Sequence, residues 1–291
     1  MSQSQTPEPL VRNISDTALA VAFARARESQ RPDALFHDPL AMRLAGRRGQ
    51  EIAESNSFGE RMAWVLVMRT YLYDQFIAKQ VQEGADLVVN LAAGLDTRPY
   101  RMALPSTLKW VEVDLPELID YKEDILRGEK PTCEMERIKL DLSEVGGRRE
   151  LFTRLASQAT NVVVVTEGLL IYFSPSEVGA FARDLADAHS FQHWIVDLAS
   201  PGLLRMGQKR MGKQLSDGGA SFKFGPKEGP DFFVPYRWKP IDVQSVLKAG
   251  ARFRRVTPIL RVMAALPASN RRQGLRPWSG VCLLGKISER P

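Results

Sequence analysis

Along the middle of the chain, two patterns of hydrophobic residues alternate, one typical of strands and one typical of helices. Between residues 86 and 200, short apolar runs that predict strands alternate with segments in which apolar residues recur at helical spacing. This alternation favours a parallel sheet wound by right-handed crossovers. The predicted strands are an opening strand at Leu87–Val89 and four later ones at Lys109–Asp114, Glu136–Asp141, Asn161–Glu167 and Gln192–Asp197.

A turn of small residues follows the opening strand. The apolar, β-branched run of that strand predicts burial on both faces of the sheet. At Ala92-Ala93-Gly94 a ligand can approach the main chain closely, and Asp96 and Arg98 add polar groups where the chain turns towards a helix. Such a unit is typical of nucleotide-binding α/β sheets. The three-glycine dinucleotide fingerprint is missing, so the turn alone leaves the ligand open.

Three helices are predicted before the sheet. They run from Asp16 to about Glu28, from the turn at His37 to Leu44 with a stop at Gly46–Gly49, and over about Phe58–Gln82.

The third of these helices carries an arginine on its apolar face. Arg69 shares the inward stripe with Val65, Leu72 and Phe76. Because a charged side chain turned towards the interior needs a partner, Arg69 is a candidate contact for an anionic ligand. A local salt bridge, or snorkelling of its long stem, is the alternative.

The C-terminal third departs from the α/β rhythm. Gly202–Trp238 is rich in glycine, proline and aromatic residues, which favours a lid or substrate pocket. The alternative is a segment with a purely structural role that packs against the sheet. A helix near Ile241–Ala249 is predicted next. Phe253–Thr257 and Ser279–Ile287 are predicted as the last two strands, which would give a seven-stranded sheet with one antiparallel strand.

Four predicted strands end in an acidic residue: Asp114, Asp141, Glu167 and Asp197. In an open α/β sheet the ligand lies across these carboxyl ends. One acid there commonly caps the next helix, but four along one rim need a ligand with positive charge or many hydroxyl donors. S-adenosylmethionine offers a ribose diol, an adenine amino group, an amine and a sulfonium. Its single carboxylate requires a cation, for which Arg69 is the candidate.

Composition limits the alternatives further. A chain of 291 residues is long enough for one large α/β domain. Cys133 and Cys282 form neither a disulfide framework nor a metal cluster, so no metal site is predicted. Neither a secretory signal nor an apolar run of membrane-spanning length is present, and a cytoplasmic protein with no membrane partner is expected.

The charge of the chain is unevenly distributed. The formal net charge is +6, and no carboxylate lies between Asp242 and Glu289. This basic segment favours either attraction of an anionic substrate or a solvated basic face. A nucleic-acid partner is not expected, because no recognition module surrounds the arginines. These are Arg252, Arg254, Arg255, Arg261, Arg271, Arg272 and Arg276.

The ordered motifs of the chain resemble those of a known family. VVNLAAGLDTRPYR, VEVDLPELIDYK, KLDL and TEGLLIYF resemble the successive motifs of the leucine carboxyl methyltransferase family. TALAVAFARARES and RPDALFHDPLA are similar to its bacterial branch of S-adenosylmethionine-dependent O-methyltransferases linked to polyketide-type metabolites. The resemblance covers about Ser15–Ser200. It implies a Rossmann-like, seven-stranded class I methyltransferase sheet with N-terminal helices and an inserted lid.

The same resemblance implies roles for single residues. Gly94 would lie against S-adenosylmethionine, Asp114 would hold its ribose, and Arg69 would bind its methionine carboxylate, assisted by either Arg25 or Arg27. Ala92 stands where many relatives have glycine. The remaining members of the implied cofactor site are Asp96 and Arg98 in the turn, Asp141 and Leu142 at the adenine, and Glu167 beside the cofactor.

The expected organisation is a single methyltransferase domain over residues 13–291, preceded by a disordered tail, residues 1–12. Within the domain we expect a helical cap, a cofactor-binding core, a lid and C-terminal strands, at residues 13–82, 83–200, 201–240 and 241–291 respectively.

The acceptor of the methyl group is less well defined. The three histidines offer no convincing general base, which favours a carboxylate or acidic hydroxyl of a small anionic or aromatic metabolite. Tyr172 is a candidate residue of the acceptor pocket, or else a core residue. Two other functions stay open: a nicotinamide-dependent oxidoreductase, and a non-catalytic binding protein on a methyltransferase scaffold.

Overall fold

The computed structural model describes residues 14–54, 57–217, 221–266 and 276–287. The predicted tail, residues 1–12, lies outside the described residues. The helices are α1 (Ile14–Ser29), α2 (Ala41–Glu54), α3 (Ser57–Gln82), α4 (Arg98–Arg101), α5 (Pro116–Ile125), α6 (Val145–Ala156), α7 (Pro175–Asp187), α8 (Pro201–Asp217), α9 (Val246–Arg252) and α10 (Pro258–Ala265). The strands are β1 (Leu87–Leu91), β2 (Lys109–Asp114), β3 (Glu134–Lys139), β4 (Val162–Thr166), β5 (Phe191–Ala199), β6 (Trp238–Ser245) and β7 (Ser279–Lys286).

The seven strands form one sheet in the order β3-β2-β1-β4-β5-β7-β6. Strands β1 to β5 pair in parallel, whereas β7 runs antiparallel to both β5 and β6. The predicted seven-stranded sheet with one antiparallel strand is therefore confirmed. Because the strand order reverses between β1 and β4, the crevice where an open α/β sheet binds its ligand lies above these two strands.

The two central strands are completely buried. Every residue of β1 and of β4 is inaccessible to solvent, as their apolar, β-branched sequences predict. On one face the sheet packs against α6 and α7 through Phe152 and Phe181. On the other face it packs against α3 through Met68 and Tyr73. The carboxyl ends of these strands are therefore held in place by packing on both faces of the sheet.

The N-terminal helices cover the carboxyl ends of the strands. α1 and α2 pack closely, and a Cβ at Gly49 would come within 2.7 Å of the Leu19 carbonyl oxygen. The predicted stop at Gly46–Gly49 is confirmed in part, because Gly46 (φ 55°, ψ −171°) is non-helical and interrupts α2. A second helical segment of α2 then continues to Glu54, which the sequence analysis did not predict. No helix of the described residues is both long and apolar enough to cross a lipid bilayer.

The last third of the chain differs from the prediction. Strand β6 begins at Trp238, where a loop and then a helix were expected, while Phe253–Thr257 is not a strand. Pro240 obscured β6, but proline is tolerated at a sheet edge, and the ladder shifts register there. Arg254 has a φ of 55°, which is incompatible with extended backbone.

The aromatic insertion is partly helical. Its first half forms α8, which the sequence analysis did not predict. Its second half is largely structural, since Phe233 and Trp238 are buried against Trp194, with ring centroids 5.0 and 5.7 Å away. Phe222, Phe224 and residues of α8 line a cavity, whereas Phe233 and Trp238 support the sheet; a role of the insertion as a lid stays a prediction.

Ala92 occupies a backbone conformation that suits glycine. Its φ is 55°, in the left-handed region, and Gly94 has a φ of 52°. A Cβ in this region costs roughly 1–2 kcal/mol, so glycine would fit this position with less backbone strain than alanine.

We expect Ala92→Gly to leave the free energy of unfolding unchanged or higher. The matched control Ala93→Gly, at a buried neighbour whose φ is not positive, should lower it. The two variants should differ by about 1–2 kcal/mol in urea unfolding. An equal loss of stability in both would show that Ala92 carries no backbone strain.

Candidate functional site

A cavity of about 500 Å³ opens at the carboxyl ends of the central strands. Its floor is the β1 turn and the ends of β2, β4 and β5, and its walls come from α1, α3 and α8. It lies at the point where the strand order reverses, as expected of a ligand site in this fold. Charged groups are concentrated on the floor, and apolar side chains form most of the walls.

Asp114 fixes the turn of small residues. Its Oδ2 accepts a hydrogen bond from the Gly94 N–H (2.6 Å), and its Oδ1 accepts one from the Leu115 N–H (2.7 Å). Burial raises the pKa of Asp114, although these two hydrogen bonds oppose the shift. Each oxygen keeps a further lone pair, so the carboxylate can accept from hydroxyl donors in the cavity.

Arg98 connects two parts of the floor with the wall formed by α3. Its side chain is only 2% exposed, and its Nε, Nη1 and Nη2 donate to Asp74 (2.7 Å), Asp96 (2.7 Å) and Glu167 (2.8 Å). These acids belong to α3, the β1 turn and the end of β4. A buried guanidinium requires such partners, since an unpaired buried charge costs several kcal/mol. Arg101 also forms two hydrogen bonds with Asp74.

Two of the acids around Arg98, Asp96 and Glu167, are held in their charged forms. Burial acts to raise the pKa of Asp96, but the charge of Arg98 outweighs it and the pKa lies well below the usual value. Burial also acts to raise the pKa of Glu167, and the charges of Arg98 and Arg69 lower it overall. Asp96 and Glu167 therefore stay ionised near neutral pH.

Arg69 lies at the edge of this ion-pair network and faces the cavity. Its Nε donates to Glu167 Oε1 (3.0 Å), and its Nη1 lies 3.5 Å from Asp197 Oδ2. No side chain in the described part of the chain accepts a hydrogen bond from Nη2. The salt-bridge alternative therefore holds for Nε and Nη1 of the guanidinium, and Nη2 is available to bind an anion.

Gly168 makes room for this guanidinium. Its φ is 70°, and a Cβ there would lie 3.2 Å from Arg69 Nη1. The Gly168 N–H donates to Asp197 Oδ1 (2.7 Å). The single hydroxyl proton of Tyr73 is shared between the Thr166 carbonyl (2.7 Å) and this Asp197 oxygen (3.1 Å). Burial and the charges of Asp197 and Glu167 raise the pKa of Tyr73 well above its usual value, so its hydroxyl remains a donor.

The structure brings most of the predicted site residues together. Seven of the nine predicted cofactor residues line the cavity: Arg69, Ala92, Gly94, Asp96, Arg98, Asp114 and Glu167. Asp141 and Leu142 are not among the lining residues. Asp141 is exposed and its Oδ1 accepts from the Ser143 N–H (2.9 Å), while Leu142 is buried and its carbonyl accepts from Arg148. Their predicted contact with adenine stays a prediction.

Arg25 and Arg27 both line the cavity but differ in their surroundings. Arg25 is buried, and its Nε and Nη2 donate to Asp38 (2.8 Å) and to the Leu95 carbonyl (2.5 Å). Thr97 donates to the same oxygen of Asp38. Arg25 thereby fixes α1 to the β1 turn, whereas Arg27 is exposed.

The upper part of the cavity is apolar. Tyr172 lines it, with its ring 5.8 Å from that of Phe222, and α8 contributes Leu203, Leu204 and Met206. A Cβ at Gly207 would lie 3.1 Å from the Phe222 ring, so the small residue lets this ring pack against α8. Burial raises the pKa of the Tyr172 hydroxyl, although a hydrogen bond with Thr17 opposes it.

Several candidates for chemistry lie away from the cavity. None of the three histidines is among its lining residues. The same holds for the described arginines of the basic C-terminal segment; Arg255, for example, pairs with Glu28 and Asp33. These arginines therefore do not line the cavity, and their attraction of an anionic substrate stays a prediction. Arg271 and Arg272 lie outside the described residues.

Sequence reasoning missed the polar partners of the network. Tyr73 follows Arg69 by four residues and so shares its helix face, a signal that was available. Asp197 was noted as a strand-end acid without a role. Thr97 lies in the polar turn that the sequence indicates, but its hydrogen bond with Asp38 was not predicted. Asp74 had no sequence signal, because its partners are set by tertiary packing.

Comparison with known proteins identifies the family. The family model described as leucine carboxyl methyltransferase matches residues 18–186. A relative from Mycobacterium tuberculosis, provisionally named an S-adenosyl-L-methionine-dependent methyltransferase, is 30% identical over 245 residues, covering 78% of each protein. A Parafrankia relative with the same provisional name is 32% identical over 182 residues, 59% of this chain, and the chain spans only 58% of that relative's length.

A solved structure supports the fold. A Thermobifida fusca protein, provisionally described as a methyltransferase, superposes with a TM-score of 0.56 at 14% identity. The superposition covers 99% of this chain and 100% of that one. At this identity the likeness shows a shared fold.

The lowered pKa of Glu167 predicts a pH-dependent stability. A carboxyl whose folded pKa lies below its usual value of 4.5 stabilises the fold above that pH, and this contribution is lost as the pH falls through the folded value. Glu167→Gln should therefore cost about 3 kcal/mol of unfolding free energy at pH 7, with the difference from wild type shrinking below about pH 4.5.

The exposed acid at position 141 provides the control, since Asp141→Asn keeps an acceptor for the Ser143 N–H. Urea unfolding at several pH values measures both variants. A Glu167→Gln effect that is small, or constant from pH 7 down to pH 3, would contradict the charged network.

Proposed function

Because the chain belongs to the leucine carboxyl methyltransferase family, we propose that it is an S-adenosylmethionine-dependent methyltransferase acting on oxygen. Its acceptor is a carboxylate or acidic hydroxyl of a small metabolite. The observation that carries the proposal is the cavity at the β1–β4 crevice, with Arg69 presenting an unpaired Nη2 beside ionised carboxylates. The link to polyketide-type metabolites stays a prediction.

The floor of the cavity fits the cofactor. Asp114 has lone pairs for the two ribose hydroxyls, next to a turn of small residues that permits close approach. Arg69 Nη2 offers two N–H donors to the methionine carboxylate, as a charge-assisted hydrogen bond. Glu167 and Asp197 lie beside Arg69, where they attract the cofactor's amino group and positive sulfur.

When bound, the cofactor supplies an electrophilic methyl group on a sulfonium. The chain contributes position and environment: ionised side chains anchor one part of the cavity, and the apolar walls exclude water from the other. Hydrogen bonds from Gly168 and Tyr73 hold Asp197 in place on the floor beside Arg69.

No general base is available among the described residues that line the apolar part. Tyr172 has a raised pKa and remains protonated near neutral pH, and no histidine lines the cavity. A carboxylate acceptor needs no base, because it is already ionised. The proposal therefore favours a carboxylic acid with an apolar or aromatic body that packs against Phe222 and Leu203.

Binding of S-adenosylhomocysteine tests the cofactor assignment. Calorimetry should show binding to the wild-type protein and none of NADH. Arg69→Met removes the charge that faces the ligand and should weaken binding at least ten-fold, since a hydrogen bond to a charged group contributes about 1.5–3 kcal/mol.

The exposed Arg205→Met provides the matched control and should leave affinity unchanged. Unchanged affinity in Arg69→Met together with a lower melting temperature would assign Arg69 to the salt bridge alone. Binding of NADH in place of S-adenosylhomocysteine would contradict the proposed function.

The pH profile of methyl transfer distinguishes the two acceptor classes. With a panel of aryl and alkyl carboxylic acids and phenols, we expect carboxylic acids to be methylated with kcat/KM nearly flat from about pH 6 to 8, because a carboxyl ionises near ~4. A rate that climbs steeply through this range, with methyl ethers as products, would point to a hydroxyl acceptor and contradict the carboxylate preference.

A further inference from the structure

Helix α10 carries an apolar face that nothing in the described part of the chain covers. Ile259, Val262, Met263 and Leu266 follow one another at helical spacing and are 75, 69, 49 and 57% exposed. None of the α10 residues is buried. We call these four side chains the α10 stripe. An exposed apolar face of this kind marks an interaction surface.

The surroundings of the α10 stripe are basic. Arg254 lies in the turn before α10, and Arg261 lies on the helix itself; both are exposed. No described carboxylate forms an ion pair with either of them. The sequence has no acid between Asp242 and Glu289 to balance them. The occupant of this surface should therefore be apolar and negatively charged.

α10 is firmly attached beside the cavity. Arg255, between α9 and α10, donates from Nη2 to Glu28 (2.7 Å) and from Nη1 to Asp33 (2.7 Å) at the end of α1. Val246, the first residue of α9, lines the cavity. The stripe is thus held in a fixed position next to the helices that form the cavity walls.

We propose that the α10 stripe docks the protein on an anionic lipid surface. The helix protrudes, and a lipid interface can accept a convex apolar face without a complementary groove. Arginines around such a face are attracted to anionic headgroups. A second copy of the chain would bring two basic faces together, and residues 267–275, which follow α10, add two more arginines and no acid. Neither a second copy nor this segment therefore offers the required negative charge.

This inference departs from the expectation of no membrane partner. That expectation concerned segments long enough to span a bilayer, whereas a surface-bound amphipathic helix lies in the plane of the interface. The inference does not depend on methyl transfer. If both hold, an acceptor with an apolar body would reach the cavity from the lipid phase in which it dissolves.

Co-sedimentation with vesicles tests the docking surface. The full chain should bind vesicles of phosphatidylcholine with 30% phosphatidylglycerol far more tightly than pure phosphatidylcholine, and salt should weaken binding. Ile259→Ser/Val262→Ser should reduce binding on the order of ten-fold. The control Met42→Ser/Val145→Ser, at two exposed apolar residues outside the stripe, should not.

A second pair of variants tests the charge. Arg254→Gln/Arg261→Gln should reduce binding by about five-fold for each arginine. The control Arg47→Gln/Arg127→Gln lowers the net charge equally at two exposed arginines elsewhere and should have a smaller effect.

Several outcomes would overturn the proposal. Wild-type protein that does not bind anionic vesicles up to about 1 mM lipid, or a stripe variant that binds like wild type, would exclude lipid docking. Light scattering that shows a dimer in wild type and a monomer in Ile259→Ser/Val262→Ser would assign the stripe to a second copy. A much lower melting temperature in that variant would show that the chain itself covers the stripe.

Discussion

The buried guanidinium of Arg98 is the interaction on which the site depends. It joins α3, the β1 turn and the end of β4 through Asp74, Asp96 and Glu167. The β1 turn and the end of β4 form part of the cavity floor and α3 forms part of its wall, so the guanidinium fixes floor and wall relative to each other. A single apolar side chain could not hold three carboxylates in fixed orientations, because each carboxylate needs a directed donor.

The two arginines near Glu167 therefore have different tasks. Arg98 is 2% exposed and uses Nε, Nη1 and Nη2 within the network, whereas Arg69 is 16% exposed and leaves Nη2 towards the cavity. The inner arginine fixes the carboxylate, and the carboxylate in turn orients the outer arginine. Supporting hydrogen bonds of this kind hold a binding group in its productive position before the ligand binds.

The fold was largely predictable from the sequence, since buried parallel strands are apolar throughout and the strand-to-helix rhythm fixes the topology. The edge strand β6 was not predictable, because Pro240 and a half-exposed face weaken its hydrophobic pattern. In the site, Arg69 was found from its place in an apolar stripe. The partnership of Arg98 with Asp74 was not, because it depends on how α3 lies against the sheet. Asp141 shared the strand-end pattern but follows β3, away from the crevice.

A crystal structure of the complex with S-adenosylhomocysteine tests the central claim most directly. Our account predicts that the ligand carboxylate lies within about 3.2 Å of Arg69 Nη2 and that the ribose hydroxyls donate to Asp114. Glu167 should keep its hydrogen bond with Arg98 in that complex. A ligand bound outside the β1–β4 crevice, or one whose carboxylate avoids Arg69 while Asp114 stays unliganded, would contradict it.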